Sequence, residues 1–453
     1  MNSGVVQVDR NRIAVIGSGI AGLSAAWLLR QSADVALLEA EERFGGHSHT
    51  FLIQEDSREV PVDTGFMVFN RPNYPLLSRL LDELGVRTYA TDMSFSVSLD
   101  RGRLEYAGSS VSSLFAQRSN LRRPSFWRML ADILRFNRAA KALLKSKANS
   151  DGRNLQAFLD QLRLGERFRK DYLFPMAAAI WSCPREAIAE FPAESFVRFF
   201  ANHGLIDLYD RPQWQTLDGG SRAYVTRLIA DLGPAARSGT KVLSVRRDAQ
   251  GVELRYEAGR VERFDEVVFA CHSDQALRLL QDATPSEAAM LRSVPYQDNR
   301  VILHSDSSLM PVRKSVWSSW NYFDASARTG DEAVSVSYWM NSLQRLPTQR
   351  DYFVTLNPVR EPDPGQVVAE FQYAHPVFDA QSQLLSARLE AVQGRDRAWF
   401  CGAWTGYGFH EDGMRSGVDV ALRLGASLPW GEQIDASRAL SPTGVPAMAA
   451  QQA

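Results

Sequence analysis

A chain of 453 residues exceeds one small domain, and at roughly 150 residues per domain two or three are expected. Fifty-one basic and 52 acidic side chains leave a net charge of −1, which argues against a protein coated for nucleic acid. Apolar residues at 45% and charged residues at 23% exclude a wholly disordered, collagen-like or coiled-coil chain.

Three widely spaced cysteines, Cys183, Cys271 and Cys401, fit neither a disulfide framework nor a zinc site and point to a reducing compartment. The opening MNSGVVQVDRNR has no apolar stretch of signal-peptide length, and no 18 apolar residues run uninterrupted. The expectation is a cytoplasmic protein, soluble or peripheral on the inner membrane face. The charge is not evenly spread. Residues 101–150 carry eleven basic and two acidic side chains, a local +9 against −10 over the remainder.

In chain order, Ile13–Ile16 is a fully apolar run, as a strand buried on both faces requires. Gly17-Ser18-Gly19-Ile20-Ala21-Gly22 follows and opens an apolar stretch at helical spacing. A second apolar run, Val35–Leu38, ends at Glu39. Gly17 permits the tight strand-to-helix turn, Gly19 lets a pyrophosphate approach the backbone, and Gly22 lets helix and strand pack closely. The helix N-terminus offers unpaired N–H groups to phosphate, and Glu39 stands where a ribose diol is recognised. Strand, turn, helix, strand and acid in register predict a dinucleotide site.

The segment after Glu39, which includes Ala40, Arg43, Gly45, Gly46 and His47, resembles the flavin-containing amine oxidase and phytoene desaturase superfamily. So do Asp63-Thr64-Gly65 and the stretch from Phe400 through Gly402, Phe409, Glu411 and Asp412. The resemblance implies FAD, held non-covalently because no cysteine lies in Gly406–Gly413. It also implies that the Val242 backbone meets the adenine, and that the last helix points its N-terminus at the flavin. Gly-His-Ser-His-Thr at 46–50, Ala178–Ser182, Gly219–Tyr224 and Gly406–Gly413 narrow the match. They resemble a bacterial family of FAD-binding oxidoreductases akin to the flavoprotein region of plant cyclopropane fatty-acid synthases and to flavoprotein desaturases of methyl-branched and furan fatty acids. Two departures stand out. His47 replaces an arginine common in amine oxidases, and the lysine they keep near flavin N5 falls near Asn299 or Arg300.

The implied architecture is α/β, a segmented Rossmann-like FAD domain (12–95, 216–290 and 391–425) interrupted by an α+β substrate domain (96–215 and 291–390). A disordered tail is expected over 431–453, with its Ala, Pro, Gly and Gln. No second GxGxxG is present, so a nicotinamide partner is not expected.

His410 reads either as a proton-transfer group near flavin N5 or as a residue that orders the cofactor. Glu411 and Asp412 read as helix N-cap and flavin hydrogen-bonding groups rather than acid/base catalysts. Trp317, Trp320 and Tyr338 either wall an apolar pocket or fill a sheet core. His47 and His49 lack further ligands, so no metal is expected. Between Ser125 and Lys147, Trp127, Leu130, Leu134 and other apolar residues recur at helical spacing among Arg128, Arg135, Arg138 and Lys141. That pattern suits an interfacial membrane helix or a packed helix with a solvated side.

The implied activity moves a hydride between a substrate carbon and flavin N5, with a lipid acyl chain as substrate, in either direction. The alternatives are an amine or amino-acid oxidase and a low-turnover flavin-binding partner of a lipid methyltransferase.

Overall fold

The computed structural model describes residues 10–108, 111–145, 152–181, 188–207, 212–323, 335–377 and 384–431. Ser182, Cys183, Lys147 and the expected tail from 432 onward lie outside them.

A five-stranded parallel sheet forms the base. Its order is Ala236–Arg237, Asp34–Leu38, Arg12–Ile16, Glu266–Phe269 and Ala398–Phe400. Ile13 pairs with Val35 on one side and Glu266 on the other, so the first strand is central. Its residues Ile13–Ile16 are buried, as an inner parallel strand with both faces covered must be. Three distant stretches of chain therefore meet in one sheet.

All ten residues of the helix Ile20–Leu29 are buried, because the last helix, His410–Arg423, lies across it. A Cβ on Gly417 would stand 2.2 Å from the Ala21 carbonyl oxygen, so only glycine permits that approach.

A second, seven-stranded sheet runs Val367–Pro376, Tyr296–His304, Phe353–Leu356, Ser335–Trp339, Trp320–Phe323, Phe95–Leu99 and Leu104–Ala107. The pairing of Trp320–Phe323 with Phe95–Leu99 is parallel and the other pairings are antiparallel. The strand Phe95–Leu99 opens one residue before the division expected at 95/96. The strand Trp214–Leu217 straddles the one expected at 215/216 and pairs with Phe69–Asn70 and Thr88–Ala90.

Helices Pro124–Lys145, Leu155–Gln161, Phe174–Trp181 and Ala193–Asn202 pack on this sheet around Phe126, Phe136, Phe168, Phe196 and Phe200, all buried. The hairpin Thr50–Glu55/Arg58–Asp63 packs beside its other end, against Val301, Val354 and Tyr373.

Candidate functional site

Gly17 adopts φ +103°, and a Cβ there would stand 2.8 Å from the Ala270 carbonyl oxygen. A Cβ on Gly22 would stand 1.9 Å from the Gly17 carbonyl oxygen. Gly19, between them, has nothing within 4 Å of its Cβ position. Two glycines are thus demanded by packing, and the middle one opens a space at the N-terminus of a ten-residue helix. The residues present fit a diphosphate there, since the N–H groups of the first helical turn have no intrahelical acceptor. Ser18, Ile20 and Ala21 are buried around this turn.

Glu39, at the end of the second strand, accepts hydrogen bonds from Ser18 N (2.9 Å), Ser18 Oγ (2.6 Å) and Glu41 N (3.0 Å). Exposed Ala40 separates it from Glu41. The Glu39 carbonyl accepts from Thr240 N (2.7 Å), which places Val242, two residues on, beside the ribose end. Arg43 donates to the Gly46 carbonyl (2.7 Å) and pairs with Glu41 (3.3 Å), while Gly45 N donates to Ser18 Oγ (3.1 Å). The Gly45-Gly46 turn thereby lies on the glycine loop.

Asp63 is fully buried. It accepts from Thr50 Oγ1 (2.6 Å), Ser221 N (2.9 Å) and Ser221 Oγ (2.8 Å) with one oxygen, and from Gln344 Nε2 (2.7 Å) with the other. Burial pushes its carboxyl up to about 6 despite these bonds. It ties three chain segments together. Thr64 Oγ1 meets the Tyr373 hydroxyl at 2.8 Å, and a Cβ on Gly65 would stand 2.1 Å from the His47 carbonyl oxygen.

His47 lies in a group of rings: Tyr373 at 5.1 Å, His375 at 5.3 Å and His272 at 6.0 Å between centroids. Its Nε2 is buried with no hydrogen-bond partner among the described residues. Burial first, and the neighbouring imidazoles second, hold His47 well below the ordinary histidine range. Burial also drives His375 to about 4. Asn299 Nδ2 lies 3.0 Å from His375 Nδ1, and Arg300 is paired with Glu370 and Glu361, both at 2.7 Å. Among the described residues no group of His, Cys, Asp and Glu has metal-binding geometry.

At the other end, Gly402 N donates to Ser416 Oγ (2.8 Å), closing the turn that leads to the last helix. His410 stacks on Phe66 (3.8 Å between centroids, 7° between planes), and its Nε2 lies 2.9 Å from the Tyr224 hydroxyl. Tyr224 in turn meets Ser48 Oγ. Burial holds the His410 imidazole down to about 3, so it is neutral at physiological pH. Asp412 Oδ2 accepts from Phe409 N (3.1 Å) and Tyr407 N (3.0 Å), a cap for its own helix.

Glu411 reaches elsewhere. It accepts from Leu76 N (2.8 Å) and Leu77 N (3.1 Å), so its side chain caps the helix Pro75–Glu83. The expected N-cap and flavin hydrogen-bonding group thus spends its side chain on a neighbouring helix, while its backbone N–H stands at the tip of its own. Burial pushes Glu411 up to about 7 and Asp412 up to about 6.

Two further placements are set by packing. Phe409 stacks on Phe199 (4.8 Å) and meets Trp181 (6.3 Å), so its ring joins the helical core instead of turning to the glycine-rich elements. Trp320 and Tyr338 form one cross-strand pair (5.0 Å), but Trp317 packs on Trp339 (5.5 Å) and Phe353 (5.7 Å). Successive strand residues point to opposite faces, so Tyr338 and Trp339 diverge and Trp317 goes with the outer face. The three do not share a wall.

Tyr224, Phe66, Ser48, His272, His375 and Gln344 were not singled out as site residues from sequence. Tyr224 and Ser48 sit inside motifs quoted above, and Phe66 directly follows Asp63-Thr64-Gly65. No spacing signals the histidine group, which forms across three chain segments.

Residues 20–424 match the family described as flavin containing amine oxidoreductase. A carotenoid phi-ring synthase of Streptomyces griseus is 28% identical over 324 residues, which cover 63% of this chain. The match spans only 58% of that protein's own length. Flavin-containing amine oxidase A of Canis lupus familiaris is 39% identical over 83 residues, 18% of this chain and 15% of that protein. The fold resembles cyclohexylamine oxidase from Brevibacterium oxydans (TM-score 0.65, 16% identity, 92% of this chain and 98% of that one). It also resembles a CLA-producing fatty acid isomerase from P. acnes (TM-score 0.64, 16% identity, 92% and 99%). At that identity the two structures speak for the fold alone. The family match covers most of the chain, and the glycine turn, Glu39 and the last helix N-terminus provide for its cofactor. The chain belongs to the flavin containing amine oxidoreductase family and is an FAD-dependent oxidoreductase.

Proposed function

We propose that this oxidoreductase acts on a lipid acyl chain, either desaturating it or reducing it. One observation carries the reading: the surroundings of the last helix tip are aromatic and apolar. Phe66 covers His410, while Phe409, Phe199 and Trp181 continue into the phenylalanine-rich core, which Trp320 and Tyr338 border. The nearby carboxylates, Glu411 and Asp412, are engaged by backbone N–H groups, so neither is offered to a substrate ammonium. The matching carotenoid phi-ring synthase, named for an apolar compound, supports the same direction.

FAD, when bound, supplies the hydride acceptor or donor. The chain's own contribution is position, dryness and electrostatics. Neutral His410, oriented by Tyr224 and Phe66, holds an imidazole at the helix tip. The N–H groups of His410, Glu411 and Asp412 at the start of that helix present partial positive charge. An isolated CH₂ is a poor hydride donor, so the acyl chain carries an adjacent double bond or similar activation. Methyl-branched or unsaturated chains esterified in phospholipid meet that need.

The test is anaerobic mixing of the FAD-loaded protein with phospholipid carrying methylated unsaturated chains, following loss of the oxidised flavin band and identifying products by mass spectrometry. Bleaching of oxidised flavin by lipid is the expected result for desaturation, and return of the oxidised band when dithionite-reduced protein meets the same lipid is the expected result for reduction. Bleaching only by amines, with peroxide released in air, would replace the reading with an amine oxidase. Tight FAD with no spectral change on any lipid, and co-purification with a lipid methyltransferase, would replace it with a binding-partner role.

A further inference from the structure

We propose that the outward face of the helix Pro124–Lys145, with the turn before it, docks on an anionic lipid bilayer. The surface stands on exposure and charge, independently of the acyl-chain reading.

Three large apolar side chains stay open to water within fourteen residues: Leu121 (48% exposed), Trp127 (49%) and Leu134 (48%). Trp127 and Leu134 are two helical turns apart and share a face. Arg128, Arg135 and Arg138 are exposed beside them, and Lys141 and Lys145 extend the line. Between 111 and 145 the sequence holds eight basic residues and one acidic, Asp132. Asp132 is buried, receiving Arg135 Nη1 (2.9 Å) and Gly165 N (3.0 Å). Arg118, Arg122, Arg128, Arg138 and Lys145 make no ion pair with any described residue.

The face is not an uncovered piece of the core. The opposite side of the helix buries Phe126, Met129, Phe136 and Ala140 in the helical lobe, while on the outward side Lys141 pairs with Asp207 at 2.6 Å. The helix is fastened from behind and presents its apolar residues in a fixed array. Polyphosphate alone would neutralise the arginines and leave Trp127 and Leu134 wet. A bilayer interface satisfies both, because tryptophan and leucine enter the headgroup boundary while arginine stems lie along it with their charge at the phosphates. With −10 on the rest of the chain, attraction to anionic lipid is local to this face. No helix among the described residues is long and apolar enough to cross a membrane, so the contact lies in the interface.

Flotation of the FAD-loaded full chain with phosphatidylcholine vesicles, with and without phosphatidylglycerol, tests this. The protein is expected to float with the anionic vesicles and to be released by salt. Arg128→Glu with Arg138→Glu should lower the bound fraction by roughly tenfold or more, since each basic group near an anionic leaflet matters at that scale. Leu134→Ser should lower it several-fold while FAD content and elution volume stay unchanged. Equal flotation on neutral vesicles, no flotation, or variants that float like the parent would each overturn the proposal. So would lipid-free dimerisation abolished by the same substitutions, which would assign the face to a second copy of the chain. Vesicle binding without flavin reduction leaves this surface intact and overturns only the substrate reading.

Discussion

The Tyr224 hydroxyl lies 2.9 Å from His410 Nε2, and the same hydroxyl meets Ser48 Oγ. A residue from the helix Arg222–Leu232 thereby sets the ring of a residue on the last helix, and Phe66 stacks on its face. The imidazole is fixed by contacts from two segments, and Ser48 holds the hydroxyl that orients it.

That arrangement makes Tyr224→Phe informative. It keeps the ring but removes the hydroxyl, leaving Ser48 and His410 each without a buried partner, a cost of about 1–3 kcal/mol. If His410 acts on the substrate, Tyr224→Phe should lower kcat about tenfold with little change in KM, and His410→Ala should lower it further. If His410 only orders the cofactor, both variants should weaken FAD retention instead. Stopped-flow reduction beside FAD titration separates the two.

The glycine turn predicts two opposite failures. Gly22→Ala places a methyl 1.9 Å from the Gly17 oxygen and should lower stability by several kcal/mol, because backbone must move. Gly19→Val meets no protein atom at its Cβ and should fold with near-parental Tm, yet lose FAD affinity by about 100-fold as the side chain fills the diphosphate space. Thermal unfolding and FAD titration on both proteins check this. A Gly19→Val protein that binds FAD normally would remove the diphosphate from that position.

Asp63 holds Thr50, Ser221 and Gln344 through one buried carboxyl. Asp63→Ala should cost about 3 kcal/mol, since several polar groups lose a partner out of reach of water. Asp63→Asn sets an amide against the Gln344 amide and should fall between parent and alanine. Denaturant unfolding of the series measures the order.

All seven histidines fall below their ordinary range through burial: His410 to about 3, His49, His203, His304 and His375 to about 4, and His47 and His272 also lowered. Each takes up a proton only on unfolding, so its stabilising effect is present above about pH 6.5 and is lost as pH falls. Asp63 and Asp412 near 6, Glu411 near 7, and Glu266 and Asp419, both also raised by burial, act in the opposite sense, because their folded pKa is raised and protonation favours the fold. Seven outweigh five. Tm should fall between pH 7 and pH 5, at about 1.4 kcal/mol per pH unit for each net proton taken up on unfolding. Calorimetry across that range reads the slope directly, and a Tm that rises toward pH 5 would contradict the neutral histidine set.

Much of the nucleotide end was legible in the sequence. Arg12 through Glu39 is one continuous strand–turn–helix–strand unit, and its glycines and terminal acid answer to local geometry. The last helix was legible too, with Asp412 as its cap. Glu411 was not. Its side chain leaves its own helix to cap Pro75–Glu83, a contact across more than 330 positions that helix periodicity cannot encode. The packing partners of Phe409 and Trp317 were not legible for the same reason, since a residue's type limits where it can be buried but not which neighbour covers it.

Length had suggested two or three domains and composition a nearly neutral globular chain. The sequence by itself determined the dinucleotide turn, the acid at the second strand end and the basic block concealed by the −1 total, because each is written in adjacent residues. Only tertiary structure decided in what order the three expected stretches line up in one parallel sheet, that His47, His272 and His375 gather, and that the basic helix turns Trp127 and Leu134 outward while Phe126 and Phe136 face in. A helix with apolar residues on more than one side can pack by either face, and the choice rests on which face the rest of the core fits.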